Sequence, residues 1–135
     1  MTRASTLAAF TIPAVAMFLF LACCTRECVV AAATTNAADS VHGQQLFQRR
    51  CAGCHALNAD REGPRLGGVY GRKAGSVPGF EYSVGLKKYG VVWDEGSLDR
   101  WLANPDAVVP DTNMSAHVRE AEDRRDLIAY LRQTK

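Results

Sequence analysis

The stretch RRCAGCHAL, Arg49 to Leu57, sets Cys51, Cys54 and His55 within five residues. Three chemistries use such a cluster: zinc binding, dithiol redox exchange and covalent haem attachment. A structural zinc site takes four ligands, usually as two separated pairs. His55 follows Cys54 directly, so the three side chains do not readily converge on one tetrahedral ion, and His42 and His117 stand alone. A thioredoxin-like dithiol needs its C-x-x-C beside a β-α-β pattern, whereas the flanks here read helix before and loop after. Haem attachment uses every residue. Cys51 and Cys54 lie one helical turn apart, so both sulfurs can reach the two vinyl groups on one porphyrin edge, and the adjoining His55 can swing under the ring to ligate iron. The motif therefore predicts one covalently bound haem c.

The 135 residues suffice for one domain, and a formal charge of +2 argues against a nucleic-acid partner. Of five cysteines, Cys23, Cys24 and Cys28 fall in or just after an N-terminal apolar segment and are poorly placed to staple the domain. Arg3 is followed by no charge until Arg26, and LAAFTIPAVAMFLFLACC (Leu7 to Cys24) is mostly apolar, as in an export signal. Three fates fit. Small residues at VVAAA (Val29 to Ala33) or NAADS (Asn36 to Ser40) suit cleavage, which the sequence marginally favours. The uncharged run from Ala4 to Thr25 approaches the ~20 residues that span a bilayer, so residues 4–25 can also remain as an anchor. FLAC or LACC resembles a lipoprotein box, with lipidation at Cys23 or Cys24. Residues 1–38 thus read as export signal or anchor plus an Ala/Thr-rich linker, and residues 39–135 as the haem domain. That domain holds 14 Lys/Arg against 13 Asp/Glu, a net +1.

Along the domain, Asp39 or Ser40 can cap a first helix over Val41 to Cys51, with Gly43, Phe47 and Cys51 on one face. Residues Asn58 to Gly79 are rich in Gly and Pro and read as loop. A short helix is predicted over Ser83 to Lys88. Another, capped by Asp94, runs from Glu95 to Ala103, buries Leu98, Trp101 and Leu102, and stops at Asn104-Pro105. Ala107 to Val118 reads as an extended loop carrying Met114. The last helix is predicted over Arg119 to Arg132, with Leu127, Tyr130 and Leu131 as its apolar stripe. The expected fold is all-α, with long loops and a thin peptide core that a buried haem would fill.

The chain then resembles a class I cytochrome c, and more closely the mitochondrial type and its bacterial relatives. The likeness extends over Asp39 to Gln133. GPRLGGVYGRKAGSVPGFEYS (Gly63 to Ser83), VVWDEGSLDRWLANP (Val91 to Pro105) and DLIAYL (Asp126 to Leu131) match family segments in order and spacing. The resemblance implies first and last helices that cross, Gly43 and Phe47 meeting Leu127 and Tyr130. It implies His55 and Met114 as axial iron ligands, and Cys51 and Cys54 as the haem attachment points. Pro64 would accept a hydrogen bond from His55. Arg72, Tyr82 and Trp93 would hold the buried propionate, and Leu66 and Trp101 would line the pocket. His42 reads as a solvated helix residue and His117 as a surface residue.

The departures cluster where function is tuned. PDTNM (Pro110 to Met114) puts Asp111 where the family has a glycine and Asn113 where it has a lysine. SAHV (Ser115 to Val118) lacks the usual Phe and Gly, which leaves the haem edge less covered. Trp101 replaces a tyrosine, and its indole N–H is a candidate donor to the sulfur. Leu86 replaces an asparagine. Docking cations are sparse: Arg49, Arg50, Lys73, Lys87 and Lys88. The function implied is a one-electron carrier, not an enzyme, and a monomer. It would be soluble or membrane-tethered and would shuttle electrons between respiratory-chain complexes in the periplasm. A quinol-oxidising complex would be its donor and a terminal oxidase or other haem reductase its acceptor. The alternatives are a haem peroxidase or gas sensor with a labile Met114 ligand, and a tethered oxidase subunit.

Overall fold

Four of the five helices among the described residues open on a side chain that accepts free backbone N–H groups, and the fold grows from those caps. The computed structural model describes residues 37–135, and Ala38–Lys135 form one compact unit. The apolar segment, Cys23, Cys24, Cys28 and the linker up to Asn36 lie outside the described residues. Among the described residues no helix is long and apolar enough to cross a membrane.

Helix α1 spans Ser40–Arg50, and the Asp39 carboxylate caps it by accepting the Val41 and His42 N–H groups. Helix α2 is Val84–Tyr89, with Ser83 accepting the Leu86 N–H and Gly90 closing it in the left-handed conformation. Helix α3 is Glu95–Ala103, opened by a reciprocal cap between Asp94 and Ser97. Helix α4, Pro105–Val108, was not expected. Asn104-Pro105 ends α3 but does not start a loop: proline suits the first helical position, and the Asn104 side chain accepts the Ala107 N–H. Helix α5 is Ala121–Gln133, two residues later at its start than the periodicity suggests, because Glu120 makes no side-chain cap and the preceding turn stays extended. Strand structure among the described residues is limited to one antiparallel bridge, Lys73 with Val92.

The frame is the packing of α1 on α5, the most extensive helix contact in the domain. Gly43 makes it possible. A Cβ there would strike the Asp126 carbonyl oxygen and lie 2.9 Å from Tyr130 Cβ. Phe47 and Tyr130 pack as a tilted pair with ring centroids 5.6 Å apart. Leu127, Ile128 and Leu131 of α5 join Leu46 and Phe47 of α1 and Leu98, Trp101 and Leu102 of α3 in one core. Each such fully buried side chain contributes roughly 1.5–3 kcal/mol. Tyr130 is only half-buried, and Ile128, absent from the predicted stripe, takes the inner position.

His42 corrects the sequence expectation. Its side chain stays partly solvent-exposed but has a buried partner: its Nδ1–H donates to Asp126 Oδ2 at 2.8 Å, while the Asp39 N–H donates to Asp126 Oδ1 at 2.8 Å. Burial alone would raise the Asp126 carboxyl, but the bonds from His42 and Asp39 and the nearby His42 and Arg125 charges hold it below its ordinary value. This buried carboxylate ties the start of α1 to α5.

Candidate functional site

Cys51 follows α1 directly, its N–H still bonded to the Phe47 carbonyl at 2.9 Å. The Cys54 and His55 N–H groups both return to the Cys51 carbonyl, at 3.1 and 2.9 Å, so the motif forms a tight continuation of the helix end. The following loop is sewn onto it. Gly63 N–H donates to Cys54 O at 2.8 Å, Leu66 N–H to Ala56 O at 2.8 Å and Gly67 N–H to Leu57 O at 2.7 Å. This register delivers Pro64 to the histidine, whose Nδ1–H donates to the Pro64 carbonyl at 2.7 Å. A carbonyl can only accept, so Nδ1 carries the proton and Nε2 keeps its lone pair for a metal. Gly63 is needed here, since a Cβ would press into the imidazole.

The opposite material comes from the second half of the chain. Trp93 N–H donates to Arg72 O and Gly71 N–H to Trp93 O, at 2.9 and 2.7 Å. These bonds set Arg72 and Trp93 side by side. Trp93 packs as a tilted pair with Trp101 of α3 at 5.4 Å, and Trp101 Nε1–H donates to Met114 Sδ at 3.2 Å. The segment bearing Met114 is held at its end by Val118 N–H on Leu102 O, at 2.8 Å. His117 is exposed, near Ala103 O and Asp106, and does not line the cavity described next.

All ten residues singled out in the sequence line one cavity of about 250 Å³: Cys51, Cys54, His55, Pro64, Leu66, Arg72, Tyr82, Trp93, Trp101 and Met114. Val69, Leu98, Leu102, Leu127 and Leu131 add apolar wall. Sequence reasoning placed these leucines in the peptide core or at the helix contact. Their periodicity signals burial but cannot say whether the neighbour is protein or ligand. Phe80, which packs edge-on to Tyr82 at 4.8 Å, also lines the cavity and carried no sequence signal.

The chemistry of the lining fits a haem. Burial pushes the Cys51 thiol up to about 11, and a hydrogen bond to Glu62 with its charge raises Cys54. Both shifts disfavour the thiolate form that zinc ligation and dithiol exchange use. Among the described residues no group of three or more His, Cys, Asp or Glu is arranged to hold a metal ion. Arg72 is a half-buried cation whose NH1 and NH2 donate to the Gly67 and Arg65 carbonyls at 2.9 and 2.7 Å. It has no carboxylate partner among the described residues, so an anion entering the cavity would supply the missing charge. Burial lowers its pKa from the ordinary value, with Tyr82 opposing, yet it remains a cation. The Tyr82 hydroxyl accepts the Val77 N–H at 3.4 Å and is itself raised by burial.

Comparison with known proteins agrees with this chemistry. The family model for cytochrome c matches residues 40–135. A cytochrome c of Euglena viridis is 41% identical over 100 residues, which cover 72% of this chain and 98% of the relative. Cytochrome c2 of Rhodomicrobium vannielii is 43% identical over 107 residues, or 76% of this chain and 85% of that one. The structure of cytochrome cH from Methylobacterium extorquens superposes with a TM-score of 0.69 at 37% identity, covering 72% of this chain and 100% of the other. The chain belongs to the cytochrome c family of haem electron carriers, with the class I fold and a covalently attached c-type haem as its cofactor.

Proposed function

We propose that this protein is an exported one-electron carrier, soluble or membrane-tethered, that shuttles electrons between respiratory-chain complexes in the periplasm and is not an enzyme. Residues 1–38 provide the export signal or anchor with its linker, and residues 39–135 the haem domain. With haem bound, Cys51 and Cys54 would form the thioethers, His55 Nε2 and Met114 Sδ would ligate the iron, and Arg72, Tyr82 and Trp93 would hold the inner propionate. The observation that carries this reading is a single cavity lined by both His55 and Met114, with the sulfur already oriented by the Trp101 N–H.

A haem held by His55 and Met114 would supply one-electron ferrous/ferric chemistry, and these two side chains would occupy the positions a substrate would need. The chain's own residues do the rest. The Pro64 carbonyl fixes the His55 tautomer and makes the ring a stronger donor. The Trp101 N–H donates to one sulfur lone pair of Met114 and would leave the other for the metal. Apolar walls exclude water from the cavity, and Arg72 offsets the charge of a propionate. A packed lining of this kind presents one geometry to both oxidation states, which keeps reorganisation small. The Arg3 start and apolar Leu7 to Cys24 segment support export. The redox partners in this reading are a quinol-oxidising complex as donor and a terminal oxidase or other haem reductase as acceptor, engaged by a monomer.

Replacement of the sulfur separates this reading from a peroxidase or gas sensor. Met114→Ala is expected to bind cyanide in the oxidised state about 100-fold faster than the parent, equivalent to ~2.7 kcal/mol of barrier, and to lower the reduction potential. A parent that binds cyanide as fast as the variant would make the catalyst or sensor the better reading.

A further inference from the structure

The Met114 loop is fastened to a distant helix by a carboxylate outside the haem motif. Asp111 stands three residues before Met114. Its Oδ2 accepts the Gly85 N–H at 2.7 Å and its Oδ1 accepts the Ser83 hydroxyl at 3.3 Å. These donors belong to the start of α2, 26 and 28 residues away in the chain. Gly85 makes room for the contact, because a Cβ there would run into Asp111 Oδ1 and lie 2.8 Å from Val109 Cγ1. Both fastened parts wall the same cavity: Leu86 on α2, and Thr112 to Ala116 on the loop.

The path from Asp111 to the sulfur is short and internally bonded. Thr112 N–H donates to the Val109 carbonyl at 3.0 Å, and the Thr112 hydroxyl accepts the Met114 N–H at 3.2 Å. A shift at Asp111 therefore passes to Met114 through a turn rather than being absorbed by slack chain. Beyond Met114, residues Ser115, Ala116 and His117 are exposed, and the next backbone tie is Val118 on Leu102. The loop thus depends on Asp111 at one end and on Val118 at the other.

We propose that Asp111 is a positioning residue that holds Met114 on the iron by tying its loop to α2. This rests on Met114 being the axial ligand. Asp111 touches neither the sulfur nor the cavity and acts through the Val109–Met114 turn. A charge-assisted bond to a backbone N–H is stronger than a neutral one, though solvent screens this exposed pair in part. Loss of the tether lets the loop open more often, and external ligands then reach the iron.

The test uses the full-length oxidised holoprotein, with cyanide as probe and the far-red sulfur–iron band as a second readout. Asp111→Ala is expected to bind cyanide about tenfold faster, equivalent to ~1.4 kcal/mol of opening free energy, and to weaken the band. Asp111→Asn keeps an acceptor for the Gly85 N–H and should restore most of the parent's slow rate. Gly85→Ala, whose Cβ displaces the carboxylate, should accelerate binding like Asp111→Ala. Ile128→Val, a core change away from the loop, should lower global stability yet leave the cyanide rate unchanged. The proposal is overturned if Asp111→Ala binds at the parent's rate, or if Ile128→Val accelerates binding equally. A parent that already binds as fast as Met114→Ala overturns the ligation reading and this proposal with it. A slow parent with an unchanged Asp111→Ala overturns the proposal alone.

Discussion

Asp126, only 4% exposed, is a buried charge that the fold satisfies on both oxygens. Its folded-state pKa lies below the ordinary 3.8. A depressed carboxyl contributes stability that is present above the unfolded value and lost as pH falls through the folded one. Asp126→Asn should therefore melt earlier at neutral pH, by roughly 1–3 kcal/mol, the range for an unmade buried bond to a charged group. Its stability should also fall less steeply than the parent's below pH 3.8. Parallel stability curves in thermal melts from neutral to acid pH would count against a native-state role for this carboxylate. The residue was invisible in the sequence because its partners lie 84 and 87 positions away. His42, read alone, looked like any polar residue on a helix. Cys51, Cys54 and His55 were legible for the opposite reason: their chemistry is local, and adjacent rare residues leave few alternatives.

Helices were legible where capping and periodicity are local. Asp94 announced α3, whose bounds, Glu95–Ala103, are those the sequence predicts, and the return bond from Ser97 appears only in the structure. Asp39 announced α1 to within one residue. Helix α4 was missed because Asn104-Pro105 signals a helix end and a helix start with the same residues, and only the Ala107 bond to Asn104 decides between them. The predicted stripe of α5 omits Ile128, which is 3% exposed in the core, while Tyr130 packs on Phe47 at the edge of it. Gly43 carries the element-scale prediction. A Cβ at Gly43 would meet the Asp126 backbone, which cannot rotate away like a side chain. Gly43→Ala should cost about 1–3 kcal/mol, the usual penalty for overpacking, seen as a lower denaturant midpoint with an unchanged slope. A neutral effect would show that α1 and α5 can separate freely at this point.

Taken whole, the domain carries little net charge to steer a partner: residues 39–135 sum to +1 before the propionates of the haem. The candidate docking cations are further offset. Arg50 lies 3.7 Å from Asp123, and Lys87 lies 3.5 Å from Glu81. Beside Met114, Asn113, Ser115 and Ala116 are exposed and uncharged. Fields from such a surface fade within a Debye length of ~8 Å at physiological salt. Electron transfer to the natural partner should slow by less than about tenfold from low to physiological salt, in contrast to strongly steered pairs. A steeper fall in stopped-flow rates would reveal a focused basic patch. The all-α architecture and the ten pocket residues were legible because a family-wide order of segments runs from Asp39 to Gln133. The tether at Asp111 was not, since an aspartate replacing a glycine says nothing of the Gly85 N–H that it meets. Everything proposed about the site turns on sulfur bound to iron. The absorption spectrum of the oxidised holoprotein reports this bond directly. A weak far-red sulfur–iron charge-transfer band, lost in Met114→Ala and retained in His117→Ala, is the expected result. Its absence from the parent, or its survival in Met114→Ala, would remove Met114 as the ligand and the electron-carrier mechanism built on it.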